Sequence, residues 1–199
     1  MLSGLSSLAH GLVQHFGIWG VLVAMILESV GVPLPSEVTL PLGALAVAGR
    51  GDAALVLVAA AGTVGNVLGS ALAYAIGAAA GRGWRGARWL HPQRWEAAQR
   101  WFARRGDAAV LLGRLLPVVR TYISFPAGAA AMPLGRFLAY TAAGSALWCA
   151  ALTIAGAALG ANWTRLVPLF SWLTAATVLA VLLALAAAAL LWLRRRASG

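Results

Sequence analysis

Four charged side chains, Glu28, Glu37, Arg114 and Arg120, stand in strongly apolar stretches that are also broken by proline and glycine. The acidic pair is set among Pro33, Pro35, Pro41 and Gly43, the basic pair among Pro117, Pro126 and Gly128. A guanidinium donates parallel hydrogen bonds to a phosphate and keeps its charge inside a protein. Arg114 and Arg120, six residues apart across Pro117, could therefore converge on one phosphate from two sides of a helix break. The carboxylates suggest a second chemistry. Burial and a neighbouring arginine act on a carboxyl proton in opposite senses, so a glutamate exchanging between those environments can take up and release a proton. Structural ion pairs of Glu28 and Glu37 with the two arginines are the competing explanation, and they are compatible with ligand binding if a ligand displaces a carboxylate.

Weaker candidates surround these four. Asn66, Ser70 and Tyr74 recur every fourth residue and share one helix face, where they either glue helices together or line a substrate path. Thr121 and Ser124 support either the broken backbone or a ligand. His10, His15 and His91 lie in polar segments without ligand spacing. Cys149 stands alone in an apolar run and is read as a packing residue. The sequence has no HExxH, Walker A or GxSxG pattern, and it offers no set of metal or cofactor ligands; an enzyme is not expected.

The elements that must position these residues belong in a membrane. The chain is 61 % hydrophobic and 10 % charged over 199 residues, and its mean hydropathy is +0.84. A soluble domain carries about 25 % charged residues. An arginine or acid at the bilayer centre costs roughly 2.5 to 3.5 kcal/mol even on the lenient insertion scale, so the four charges must be held by partners. The net charge of +10 comes with fifteen basic residues, all arginine. Seven lie between Arg82 and Arg105 and three close the chain at Arg194 to Arg196. Such flanks are cytoplasmic by the positive-inside rule and face anionic lipid headgroups rather than nucleic acid.

Hydropathy and breakers divide the chain as follows. An interfacial amphipathic helix covers 5–16, a spanning helix 16–32, a re-entrant helical hairpin 33–50 and a second spanning helix 53–80. An interfacial segment rich in arginine and tryptophan covers 82–106, a second hairpin 107–132, and spanning helices 134–160 and 166–193. GxxxG steps at Gly65/Gly69 and Gly77/Gly81 let helices approach closely, within one chain or between the chains of a homo-oligomer. Counting sides places both termini inside, so the hairpins enter from opposite faces. The expected fold is thus an all-α polytopic membrane protein of two inverted repeats. The echo of Pro41-Leu-Gly43-Ala44 in Pro126-Ala-Gly128-Ala129 agrees. Paired, Pro/Gly-interrupted apolar segments in two halves point to a transporter's midplane site.

The run Gly113 to Gly128, with Met132 to Phe137 and Gly144 to Trp148, resembles the signature of the DedA family of bacterial membrane proteins, which includes the VTT-domain lipid scramblases. Glu28, Pro33, Pro35 and Glu37 are similar to its acidic motif, and Gly156, Gly160 and Trp163 to its later Gly/Trp pattern; the resemblance covers about residues 16 to 165. It implies a multi-pass inner-membrane transporter with two opposed re-entrant hairpins. It also implies flipping of phospholipid or polyprenyl-phosphate carrier coupled to the proton motive force, with Glu28 and Glu37 as the membrane-embedded acids and Arg114 and Arg120 as the arginine pair. The chain departs from many members at Gly69-Ser70, where they carry Gly-Asp.

Together these readings give a flippase for undecaprenyl phosphate or a related phospholipid, coupled to protons. A proton-coupled cation or drug antiporter, a passive phospholipid scramblase and a non-transporting scaffold are the alternatives.

Overall fold

The computed structural model describes residues 2–32, 34–84, 92–116, 119–160 and 162. The expected C-terminal helix 166–193, residues 85–91, Pro33, Pro117 and Trp163 lie outside them. The described residues form eight helices and no strand: α1 Leu2–Phe16, α2 Ile18–Val30, α3 Ser36–Ala46, α4 Asp52–Trp84, α5 Pro92–Gly113, α6 Val119–Tyr122, α7 Ser124–Ala129 and α8 Leu134–Leu159.

Helix lengths fall into two classes. The apolar stretches Asp52–Arg82 in α4 and Leu134–Leu159 in α8 are long enough to cross a membrane. By contrast α2 has 13 residues and α3 has 11, roughly 20 and 16 Å at 1.5 Å per residue, against a hydrocarbon core of about 30 Å. Glycine sets the ends of α2, since Gly17 (φ 56°) and Gly31 (φ 121°) both take left-handed backbone that a side chain resists. Residues 92–113 form one continuous helix through the boundary at 106/107 that hydropathy suggested. No proline interrupts that stretch, and a change of polarity alone does not break a helix.

Large apolar side chains stand on the surface as well as in the core. On α4, Val64, Leu68, Leu72 and Ile76 recur every four residues and are exposed. The opposite side carries small residues that admit other backbones. A Cβ on Gly65 would lie 2.9 Å from the Met25 Cβ, and one on Gly69 would lie 2.7 Å from the Ser29 Cβ, so this GxxxG step seats α2. The step at Gly77 and Gly81 seats α7 through Phe125 and Ala129. Both steps are therefore occupied by contacts within the chain.

The short helices cross between the halves of the sequence. The second-half helix α7 packs on first-half α4, and first-half α3 packs on second-half α8. At the latter crossing a Cβ on Gly156 would meet the Pro41 Cα at 2.5 Å. Gly43, two residues after Pro41, is closed over by Val21 and Val58. Each short helix carries an internal proline, Pro41 in α3 and Pro126 in α7. A proline has no N–H to return to the carbonyl four residues back.

Candidate functional site

Each of the four charges predicted to matter stands at a helix end. Glu28 lies in the last turn of α2 and Glu37 is the second residue of α3. Arg114 immediately follows α5, and Arg120 lies in the single turn of α6. Glu37 and Arg114 thereby meet the favourable poles of their helices, an acid at an N-terminus and a base at a C-terminus. All four are between 3 and 7 % exposed.

The structure joins Glu28 to Arg120 across 92 positions of sequence, with Nη2 of Arg120 donating to Oε2 of Glu28 at 2.7 Å. Buried ions so close form a charge-assisted bond, and loss of either partner leaves the other desolvated. The Arg120 guanidinium carbon lies over the Trp148 ring, 5.1 Å from its centroid. Ser36 and Glu37 are near enough to act electrostatically on the same Glu28 carboxylate.

Arg114 is held by neutral oxygens. It donates to the Arg120 carbonyl at 2.9 Å, to the Ser124 hydroxyl at 2.9 Å and to the Thr141 hydroxyl at 3.4 Å. The Phe137 ring stands 6.0 Å from its guanidinium carbon. Its Nε is buried with no hydrogen-bond partner. An unsatisfied buried donor costs about 1 to 3 kcal/mol, more when charged, and is a place for an incoming acceptor.

The weaker candidates separate. Asn66 accepts from Ser29 at 2.7 Å and donates to the Cys149 sulfur at 3.4 Å, tying α4 to α2 and α8. Tyr74 donates its hydroxyl to the Met132 carbonyl beyond α7. Ser70, on the same face, is fully buried with its hydroxyl unpartnered. Thr121 is buried beside Arg120 in sequence, and Ser124 is one of the Arg114 partners. Pro35 is the N-terminal boundary of α3, its carbonyl receiving the Val38 and Thr39 amides at 2.9 and 3.1 Å. Gly128 sits directly against the Tyr74 carbonyl, with no room for a side chain.

Three contributors were not assigned roles from sequence: Ser36, Thr141 and Trp148. A signal was present for the last two. Thr141, Gly144, Ser145 and Trp148 follow helical spacing within an apolar run, so they share one face of α8, and a tryptophan deep in such a run is away from its usual interfacial place.

An apolar helical bundle that exposes large side chains along its long helices, seats glycines at its helix crossings and encloses charges at broken helix ends is a membrane protein of the transporter type. Residues 32–158 match the VTT domain, and the chain belongs to that family, the DedA family. A Lactococcus lactis subsp. lactis protein named alkaline phosphatase-like protein is 34 % identical over 161 residues, 76 % of this chain and 74 % of the relative. The uncharacterized membrane protein slr0232 of Synechocystis is 32 % identical, covering 82 and 76 %. Undecaprenyl phosphate transporter A of Bacillus subtilis is 28 % identical over 155 residues, 76 % of each chain. No solved structure matches.

Proposed function

We propose that this protein is a lipid flippase of the bacterial inner membrane that carries undecaprenyl phosphate, or a phospholipid with the same phosphate chemistry, across the bilayer. The observation that carries the reading is the buried cluster itself: an Arg120–Glu28 pair beside an Arg114 whose Nε still lacks an acceptor. The lipid phosphate engages Arg114 first, and then takes the Arg120 edge now occupied by Glu28. Phosphate accepts two parallel bonds from a guanidinium, so it competes with a carboxylate on equal geometric terms. The prenyl or acyl tail stays in lipid.

Proton coupling follows from the exchange. A carboxylate that loses its guanidinium partner inside the membrane is left as an isolated charge, and a proton neutralises it. Glu28 is the exchanging group, and Glu37, close enough to influence it, is the second. Two inverted repeats, each with a re-entrant hairpin, suit this cycle, and the crossed packing of α3 on α8 and α7 on α4 supports that reading. Support for the substrate comes from the Bacillus subtilis relative named as an undecaprenyl phosphate transporter. The Lactococcus lactis relatives are named alkaline phosphatase-like instead; we place the chain with the transporter because its charges are enclosed in a membrane bundle.

The test is movement of undecaprenyl phosphate by purified protein in proteoliposomes under an imposed pH gradient, comparing wild type with Arg120→Ala. Gradient-driven movement that disappears in the variant is expected. Movement indifferent to the gradient would make the protein a passive scramblase, and undiminished movement by a correctly inserted Arg120→Ala would remove the phosphate clamp.

A further inference from the structure

Glu28, Arg120, Trp148 and Ser36 form a linked cluster drawn from four elements, α2, α6, α8 and α3. Glu28 binds the Arg120 edge at 2.7 Å. The Arg120 guanidinium carbon stands over the Trp148 ring at 5.1 Å from its centroid. The Trp148 indole N–H donates to the Ser36 hydroxyl at 3.4 Å. The Ser36 hydroxyl, with one proton to give and lone pairs to spare, lies within electrostatic reach of Glu28. α2 and α3 come from the first half of the sequence, α6 and α8 from the second.

We propose that Trp148 is the positioning residue of the phosphate clamp: its ring holds the Arg120 guanidinium without offering it an acceptor oxygen, so that the N–H donors remain available for exchange between Glu28 and a lipid phosphate. This rests on the clamp proposed above. The physical argument is one of geometry. A second carboxylate would compensate the buried charge equally well, but it would occupy the donors that the substrate needs. An indole compensates through its π-face and takes none of them. The Ser36 bond fixes the ring about its long axis, which keeps that face under the guanidinium. Since Ser36 also lies near Glu28, the ring is registered against both partners of the pair.

The experiment measures flipping of undecaprenyl phosphate in proteoliposomes at varied substrate density, together with the Arg120 Cζ shift in protein carrying ¹³C-guanidino arginine, assigned by its loss in Arg120→Ala. Trp148→Leu removes the ring. It is expected to raise the apparent KM about tenfold with kcat changed less than threefold, the size of a desolvated cation–π contact, and to abolish the ring-current displacement of the Arg120 signal. Trp148→Phe keeps a face but loses the N–H, and Ser36→Ala loses the same bond from the other side. Each is expected to raise KM about threefold, and the double variant no further than either single, because both remove one interaction.

Unchanged KM in Trp148→Leu, with Arg120→Ala inactive, would overturn the positioning role and leave the clamp standing. A fall in kcat at constant KM would overturn it as well. If Trp148→Leu does not insert, additive effects of Trp148→Phe and Ser36→Ala would overturn it. Full activity of Arg120→Ala would defeat the clamp instead. Should wild type move no undecaprenyl phosphate, the clamp's substrate fails, and an Arg120 signal without ring-current displacement would separately reject the stack.

Discussion

Arg114 donates from its side chain to the main-chain carbonyl of Arg120 at 2.9 Å, so one buried cation holds the backbone that carries the other. The two arginines are consequently unequal. Arg120 is paired with an acid and stands over an indole ring, whereas Arg114 spans α5, α6, α7 and α8 through neutral oxygens.

Arg114→Lys keeps a charge but loses the fork that reaches the Arg120 carbonyl, Ser124 and Thr141 together. Hydrogen bonds from charged donors contribute about 1.5 to 3 kcal/mol each and are not additive within a network. The variant is expected to lose about 3 kcal/mol of stability and most of its transport, read by thermal unfolding in detergent and by the liposome assay. Arg136→Ala serves as control: its bond to Asp107 is exposed, and such pairs contribute about 0 to 1 kcal/mol.

Glu28→Gln strands Arg120, and Arg120→Leu strands Glu28. Breaking a buried pair from one side costs about 3 to 5 kcal/mol, whereas removing both charges is often neutral. The double variant should therefore recover most of the stability that either single loses, while transport stays abolished. Recovery of both would mean that the pair only holds the fold. Recovery of neither would place each charge in a different network.

Glu37 offers a separate reading of coupling. It is buried at the start of α3, and its charge acts on Glu28. Glu37→Gln is expected to leave lipid binding near wild type and to make flipping independent of an imposed pH gradient. Measurement of flux with the gradient present and collapsed decides it; a gradient response equal to wild type would leave Glu28 as the single exchanging acid.

How much of this was legible depends on the physical cost each residue declares. Charges and prolines in apolar sequence are expensive, so Glu28, Glu37, Arg114, Arg120, Pro41 and Pro126 stand out as site candidates without a structure. The long apolar runs of α4 and α8 were similarly plain. Pairing was not: spacing says nothing about which acid meets which base when 92 positions separate them. Nor was the role of Trp148 or Thr141 declared, because tryptophan and threonine are cheap in a membrane helix and gain meaning only from what lies opposite. The Asn66, Ser70, Tyr74 face was found as a face, but its three members bond to different neighbours, or to none, and only coordinates separate them.

The small-residue face of α8 makes a prediction with its own control. A Cβ at Gly156 would stand 2.5 Å from the Pro41 Cα and 2.7 Å from its Cβ, where neither backbone nor ring can yield. One at Gly144 would meet the Arg114 Cβ at 2.7 Å. A Cβ at Gly135 on the same helix meets nothing within 4 Å. Gly156→Ala and Gly144→Ala should each cost about 1 to 3 kcal/mol through overpacking, while Gly135→Ala should be neutral or slightly stabilising through helix propensity. Unfolding midpoints of the three variants check the α3–α8 crossing and the seat of Arg114 independently of transport.

Ser70 carries the last prediction. Its hydroxyl is fully buried on α4 and has no partner, so the side chain bears the desolvation cost of a polar group without a bond in return. Ser70→Ala should raise stability by up to about 1 kcal/mol and leave flipping unchanged. Ser70→Asp, which restores the acid that many family members are expected to carry here, adds a buried carboxylate, and should cost several kcal/mol unless a proton or a cation accompanies it. A stable, active Ser70→Asp with altered pH dependence would show that a third exchangeable acid can join the cluster. Loss of flipping in a stable Ser70→Ala would instead assign the unpartnered hydroxyl to the lipid path.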